Sequence, residues 1–342
     1  MMSRASRRRD LMMAGLSGLA LGSLPALAAT PSGSSRPFRI FMILHRGETE
    51  VERGFKAYFE HRKIPLELTI RDIAQDPTKV PGFVAEAKAM KPDLIYSWGT
   101  PVTLGVVGKL DAIDPARHVT DIPVVFTMVA NPLGAKLVAQ RTSSGRNITG
   151  ASHVVPLDQQ LAAIRAYRPL KDLGVLFNPG EPSSVQVVKD LREAARRDRF
   201  ILKEFAVPLD AQKKPLESAL PQLIAQIARA RPQFLYLGPD SFIGAQRKVI
   251  TETALAQGLS TFAATEVMLR DGRALFGLVS GYENLGRLTA YKAEQILVQK
   301  KRPQDIPIET LARFSYIVNM SVATQLDAHP PLKVVNFAEI IR

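Results

Sequence analysis

Pro92-Asp93-Leu94-Ile95-Tyr96-Ser97-Trp98-Gly99-Thr100-Pro101 is the stretch on which the fold turns. The apolar run Leu94-Ile95-Tyr96 ends abruptly in a small, polar turn, and Val102-Thr103-Leu104-Gly105-Val106-Val107 follows at helical spacing. A buried strand that runs into a Gly-Thr turn at a helix start leaves free backbone N–H groups and a hydroxyl at one point. In an open α/β sheet that point lies at the carboxyl end of a strand, where ligands collect. Alone, Gly99-Thr100 could be an ordinary βα turn; the rest of the chain repeats the same device.

Before this stretch, Arg39 to Leu44 reads as a strand, and Val51, Phe55, Tyr58 and Phe59 form one helical face. Leu66 to Ile70 alternates as a strand, and Pro81 to Met90 reads as a helix with Pro near its start. After it, the helix runs to about Leu110, Ile122 to Thr127 is a strand ending near Asn131-Pro132, and Ile148 to Ser152 is a fifth. The second half replays the plan. Strands are expected at Leu173–Phe177, Ile201–Val207, Gln233–Leu237 and Thr261–Ala264, with helices marked by Val188, Leu191 and Ala195, by Leu216 to Ile227, and by Val249 to Ala254 before Gly258. Corresponding strands are offset by about 135 residues without any sequence repetition. Such alternation predicts an α/β protein of two doubly wound parallel-sheet lobes with a cleft between them. Leu275–Val279 and a helix from Leu285 to Gln299 come after the second copy and would return to the first lobe. The expected boundaries are 38–153 plus about 280–310 for lobe 1, and 154–279 plus about 311–342 for lobe 2.

The amino terminus reads as targeting, not fold. Arg4 and Arg7-Arg8-Arg9 precede a Gly/Ala-rich apolar stretch from Leu11 to Leu24, and Ala26-Leu27-Ala28 offers a small-x-small cleavage site. Residues 1–28 are therefore expected to be a signal peptide, with Arg8-Arg9-Asp10-Leu11-Met12 resembling a twin-arginine motif, and 29–37 a flexible leader. That places the mature protein in the periplasm. With no cysteine in the chain, a lipidated amino-terminal Cys, a disulfide, a thiolate metal site and a cysteine nucleophile are all excluded.

The 342 residues are long for one domain, and 46% hydrophobic content is ample for packed cores. The formal charge of +13 invites a nucleic-acid or membrane-surface reading. However, the bases interleave with acids, as in Arg192-Glu193-Ala194-Ala195-Arg196-Arg197-Asp198-Arg199, which is the pattern of solvated helix faces. No nucleic-acid partner is expected. No dinucleotide fingerprint, phosphate loop or Gly-x-Ser-x-Gly elbow occurs. Gly145-Arg146-Asn147-Ile148-Thr149-Gly150 precedes a strand and reads as a turn, and His45, His61, His118, His153 and His329 show no metal spacing. Neither cofactor nor metal is expected. A Ser–His–Asp arrangement assembles in space and stays open at this point.

Just past the predicted strands stand Glu48, Gly99-Thr100, Asn131, Asn178, Ser183, Ser184, Asp240 and Glu266. Hydroxyls and N–H groups suit a carboxylate and acids suit an ammonium, so this ring fits a small zwitterion or a polyol. Tyr282, Phe242 and Tyr96 are the expected apolar walls.

Several blocks come in a recognisable order: Gly99-Thr100-Pro101, Ile122 to Phe126, Asn131 to Val138, Gly145 to Gly150, Phe177 to Ser184, Asp240, and Leu285-Gly286-Arg287. Together, over about residues 38–325, they resemble the tryptophan/tyrosine-type substrate-binding proteins of ABC transporters. The resemblance implies a type I periplasmic binding protein with a multi-crossing hinge. It also implies a monomer without enzymatic activity that serves a permease in the inner membrane, and an aromatic amino acid or related small carboxylate as ligand. The family pattern carries over at Gly99-Thr100, Asn178, Ser184 and Asp240, and departs at Asn131, where the family has Asp before Pro. An amide carries no charge for an ammonium, which then needs another acid such as Glu266, unless the ligand lacks an amine. A sensor for a membrane signalling partner would use the same lobes, and an exported α/β hydrolase is the enzymatic alternative.

Overall fold

The computed structural model describes residues 36–342, so the expectations for residues 1–28 and most of the leader lie outside the described residues. The first lobe opens with β1 (Phe38–Leu44), α1 (Glu50–His61), β2 (Leu66–Asp72) and α2 (Val80–Met90). It continues through β3 (Leu94–Trp98), α3 (Gly99–Val107), β4 (Val124–Thr127) and β5 (Ile148–Ser152). Thr49 caps α1, its hydroxyl accepting from the Val51 amide while the Glu52 carboxylate accepts from the Thr49 amide, so two otherwise unsatisfied donors are met at once. The apolar stripe Val51, Phe55 and Phe59 is buried, as its spacing predicts. The β3–α3 turn needs its glycine: Gly99 sits at φ +80°, which a side chain would strain, and the Thr103 hydroxyl donates to its carbonyl at 2.8 Å. α3 ends at Val107, short of Leu110, because Gly108 at φ +68° leaves the helix.

The second lobe comprises α4 (Leu157–Tyr167), β6 (Asp172–Phe177), α5 (Pro182–Asp198), β7 (Ile201–Ala206), α6 (Leu220–Arg229) and β8 (Phe234–Leu237). It goes on through α7 (Ser241–Ala245), α8 (Arg247–Ala256), β9 (Thr261–Ala263), α9 (Val267–Arg270) and β10 (Phe276–Val279). Then come α10 (Tyr282–Leu297), β11 (Glu309–Thr310), β12 (Ser315–Asn319), α11 (Met320–Gln325), α12 (Leu332–Val335) and β13 (Glu339–Ile341).

Two sheets result, in the orders β11-β5-β4-β3-β1-β2 and β13-β12-β10-β9-β8-β6-β7. In the first, Met42 of β1 faces Ile70 of β2 and Tyr96 of β3; in the second, Val175 of β6 faces Glu204 of β7 and Tyr236 of β8. Both sheets are parallel except that β12 runs antiparallel to β10. The fold is thus α/β with two doubly wound lobes. In each, the strand order reverses at the second-drawn neighbour pair, β1/β3 and β6/β8, and ligands of such sheets sit outside the carboxyl ends at that point.

The chain passes between the sheets after β5, after β10 and after β11. The middle passage delivers α10 from the second sheet onto the first lobe, where it packs against α1, β4 and β5. That contact is backbone-close. A Cβ on Gly286 would collide with the Val51 carbonyl, and one on Gly54 with the Glu283 carbonyl. Polar ties reinforce it: Tyr58 of α1 and Arg62, which caps its end, both donate to the Glu294 carboxylate, and buried Lys292 donates to the Pro307 carbonyl and pairs with Glu309.

Candidate functional site

The two reversal points face one another across a cavity of about 430 Å³, a volume that includes its mouth. His45 and Arg46 leave β1, and Trp98 and Thr100 stand at the β3–α3 turn; Glu181 follows β6, and Asp240 and Ser241 follow β8. Met128, Ala130, His153, Thr265 and Val267 add the carboxyl ends of β4, β5 and β9, and Tyr282 comes from the β10–α10 passage. Every contributor lies at the same edge of its sheet because every strand but β12 and β13 runs parallel within its lobe.

The cavity is electrically polarised. On the first-lobe side, the Arg46 guanidinium lies 5.1 Å from the Trp98 ring centroid and has no hydrogen-bond or carboxylate partner among the described residues. Trp98 in turn stacks on His45, with centroids 5.6 Å apart and planes within 5°. Burial, helped by the Arg46 charge, lowers the His45 and His153 imidazoles to about 4, so both are neutral at pH 7. On the second-lobe side sit two carboxyl groups. Burial and the neighbouring Asp240 charge push Glu181 up to about 8, and burial likewise raises Asp240. The two acids therefore titrate as a coupled pair.

Three buried nitrogens lining this cavity, His45 Nδ1, His153 Nδ1 and Trp98 Nε1, have no hydrogen-bond partner. Buried polar atoms are rarely left orphaned, and a cluster of them around one cavity points to a ligand that completes them. The indole can only donate.

Among the residues expected from sequence, Thr100, Asp240 and Tyr282 line the cavity. Asn178, Ser183 and Ser184 sit behind it and hold its acids. The Asn178 amide donates to Asp240 Oδ2 at 3.0 Å and to the Ser184 hydroxyl at 3.3 Å, and the Ser183 hydroxyl donates to Glu181 Oε1 at 2.8 Å. Gly99 is the buried turn residue beside Thr100. Glu266 accepts from the Tyr282 amide at 2.6 Å and pairs with Arg270, facing a neighbouring charged opening together with Glu48, which is exposed and paired with Lys56. Asn131 stands in a side pocket, where its Oδ1 accepts from the Gly134 amide at 2.9 Å.

Two expected walls are corrected. Tyr96 is fully buried within the first lobe, one turn of the pleat short of the strand end where Trp98 reaches the cavity, with its hydroxyl donating to Glu52. Phe242 packs against the hydrophobic core rather than lining the cavity. Sequence reasoning passed over His45, Arg46, Trp98, His153 and Glu181. The signal was present: Trp98 stands beside Gly99-Thr100, and His45-Arg46 follow a strand as directly as Asn178 does. Arg46 was hidden among many scattered bases.

Among the described residues no group of three or more His, Asp or Glu side chains is placed to hold a metal ion. No helix among them is long and apolar enough to cross a membrane.

Residues 59–339 match the family described as ABC transporter substrate binding protein. A tyrosine-binding protein of Clostridioides difficile is 25% identical over 299 residues, covering 84% of this chain and 79% of that protein. An ABC domain from Streptococcus pneumonia, solved in complex with L-Trp, superposes with a TM-score of 0.77 at 20% identity, covering 90% of this chain and 100% of that one. A ligand-free, open substrate-binding protein with adhesive properties from Clostridium difficile gives 0.67 at 21% identity, covering 89% and 99%. These solved structures share the two-lobed periplasmic-binding-protein fold. With the family match spanning most of the chain, this protein belongs to the ABC transporter substrate-binding proteins, which bind solutes and are not enzymes.

Proposed function

We propose that the cavity binds a small zwitterion, an aromatic amino acid being the leading class, and that the exported protein closes its lobes on this ligand and delivers it to an inner-membrane permease. The carrying observation is the separation of basic and acidic groups across the cleft: unpartnered Arg46 with the Trp98 indole N–H and Thr100 hydroxyl on one side, and the Glu181–Asp240 pair on the other. A ligand carboxylate belongs with the first set and a ligand ammonium with the second. Asn131 then need not supply the ammonium's partner, since two other acids are at hand. Trp98, stacked on His45, and Tyr282 in the cavity wall favour a ring. The tyrosine and L-Trp named for two similar proteins support the same class. The targeting segment at 1–28 supports export to the periplasm, and a monomer acting through a hinge suffices for the task.

Thermal denaturation with L-tyrosine, L-tryptophan, tyramine and 4-hydroxyphenylacetate tests the reading. A ligand that binds only the folded state stabilises by about 3–4 kcal/mol at 100–1,000 times its dissociation constant. The amino acids should shift the melting temperature while tyramine and the amine-free acid do not. An equal shift with either half-ligand would refute the zwitterion.

A further inference from the structure

Beside the main cavity lies a second, larger pocket of about 840 Å³, its open mouth included, that shares Ala130 and Pro239 with it as lining residues. We propose that this side pocket receives the far end of the ligand's side chain, and that the side chain it fits is an apolar spacer ending in a carboxylate held by Arg141. The inference rests on the amino-acid reading of the main cavity and extends it to the ligand's other end.

The pocket's near walls are apolar in effect. Val155, Leu157 and Val187 contribute hydrocarbon, and the polar groups among them are already satisfied. The Tyr236 hydroxyl donates to Gln160 Oε1 at 2.8 Å, and the Gln160 amide donates to the Val155 carbonyl at 2.6 Å. An aromatic or aliphatic spacer therefore loses nothing by lying there.

Two groups in the pocket are not satisfied. Thr310 Oγ1 is buried without a hydrogen-bond partner. The Arg141 guanidinium forms no hydrogen bond or ion pair among the described residues, although its carbonyl accepts from the Ile308 amide at 2.8 Å and so fixes its backbone beside β11. The pocket's acid, Asp190, does not pair with Arg141; it is engaged by the Gln186 amide at 2.8 Å. A planar cation and a hydroxyl left open in a pocket with these apolar walls suit a carboxylate, which can accept from both. A bare phenyl or phenol would leave the cation unused.

The pocket also touches the passages between lobes, at Val154–Leu157 after β5 and at Thr310 before β12. A side chain anchored there bridges both lobes and the connections between them, so its length bears on closure as well as affinity.

Isothermal calorimetry with L-phenylalanine and 4-carboxy-L-phenylalanine, on the protein and on Arg141→Gln, provides the test. The expected result is that the carboxylated ligand binds tighter by about ten- to hundred-fold, the range for a hydrogen-bonded charge. Arg141→Gln should erase that preference while leaving L-phenylalanine affinity and melting temperature unchanged. Asp190→Asn, which removes a like charge, should strengthen the carboxylated ligand only. If L-phenylalanine binds and the added carboxylate brings no gain, or if Arg141→Gln weakens both ligands equally, the side pocket's role is overturned and the main cavity's reading stands. If neither compound binds, both fall.

Discussion

Replacing Glu181 with Gln should change how the protein's stability depends on pH, and the structure sets sign and size. In the folded protein Glu181 holds its proton up to about pH 8, whereas a free glutamate loses it near 4.5. Between those values the folded state binds more protons than the unfolded chain, so stability falls as pH rises through this window and is level above it. The full shift corresponds to at most ~5 kcal/mol, at 1.36 kcal/mol per pH unit. The neutral amide of Glu181→Gln imitates the protonated acid: its oxygen can accept from the Ser241 amide as Glu181 Oε2 does at 2.9 Å, and its NH2 can donate to the Ser183 hydroxyl, which rotates from donating to Glu181 Oε1 at 2.8 Å to accepting. The variant should therefore match the parent near pH 5 and exceed it increasingly towards pH 9. For a chain of this size 1 kcal/mol moves the melting temperature by on the order of 2 °C, so the gap should open to at most about 10 °C. Calorimetric melting from pH 5 to 9 without ligand reads it directly. Parallel curves for the two proteins would refute the argument that burial beside Asp240 raises this acid.

Two further predictions follow from packing and from the single tryptophan. Gly286→Ala should lower stability by about 1–3 kcal/mol, because its methyl group meets the Val51 carbonyl, whereas Gly82→Ala, with open space around it on α2, should be neutral or stabilising by about 0.5–1 kcal/mol. Equal melting temperatures would contradict the close α1–α10 contact. Trp98 is the chain's only tryptophan and lines the cavity, so saturating L-tyrosine should change indole emission. Trp98→Phe should weaken binding by about five-fold, the worth of one neutral hydrogen bond; unchanged emission at calorimetric saturation would place the ligand elsewhere.

The strand–helix alternation was legible because parallel strands buried on both faces read as short apolar runs. Leu94 to Trp98 and Phe234 to Leu237 are wholly buried, and the Gly-Thr and Gly-Pro-Asp turns that follow them mark the cleft edge. β11, β12 and β13 left weaker marks. β11 is two residues long, and β12 is an added antiparallel strand outside the repeated unit. At the site, residues next to strand ends were findable, and Thr100, Asp240 and Tyr282 were found. What periodicity does not carry is which of two neighbours turns inward. Asn131 spends its carbonyl on its own turn, while Ala130 before it forms the wall. Arg46 differs from the chain's many surface bases in lying against Trp98 in the cavity wall, a property of three-dimensional surroundings.

The placement of α10 also fixes an order of events during synthesis. The first lobe's strands β1 to β5 end at Ser152, but the helix that covers α1, β4 and β5 begins at Tyr282, and the edge strand β11 follows at Glu309. Eleven of the sixteen residues of α10 are buried. A nascent chain that has emerged only as far as Ser152 therefore presents the apolar seat of α10 and the bare edge of β5, and it keeps both uncovered while α4 to β10 of the second lobe are made. The second lobe's five parallel strands, in contrast, are complete by Val279. Ribosome-bound chains arrested near residue 160 should be protease-sensitive across 38–152, and protection there should arrive only once residues 282–310 have emerged.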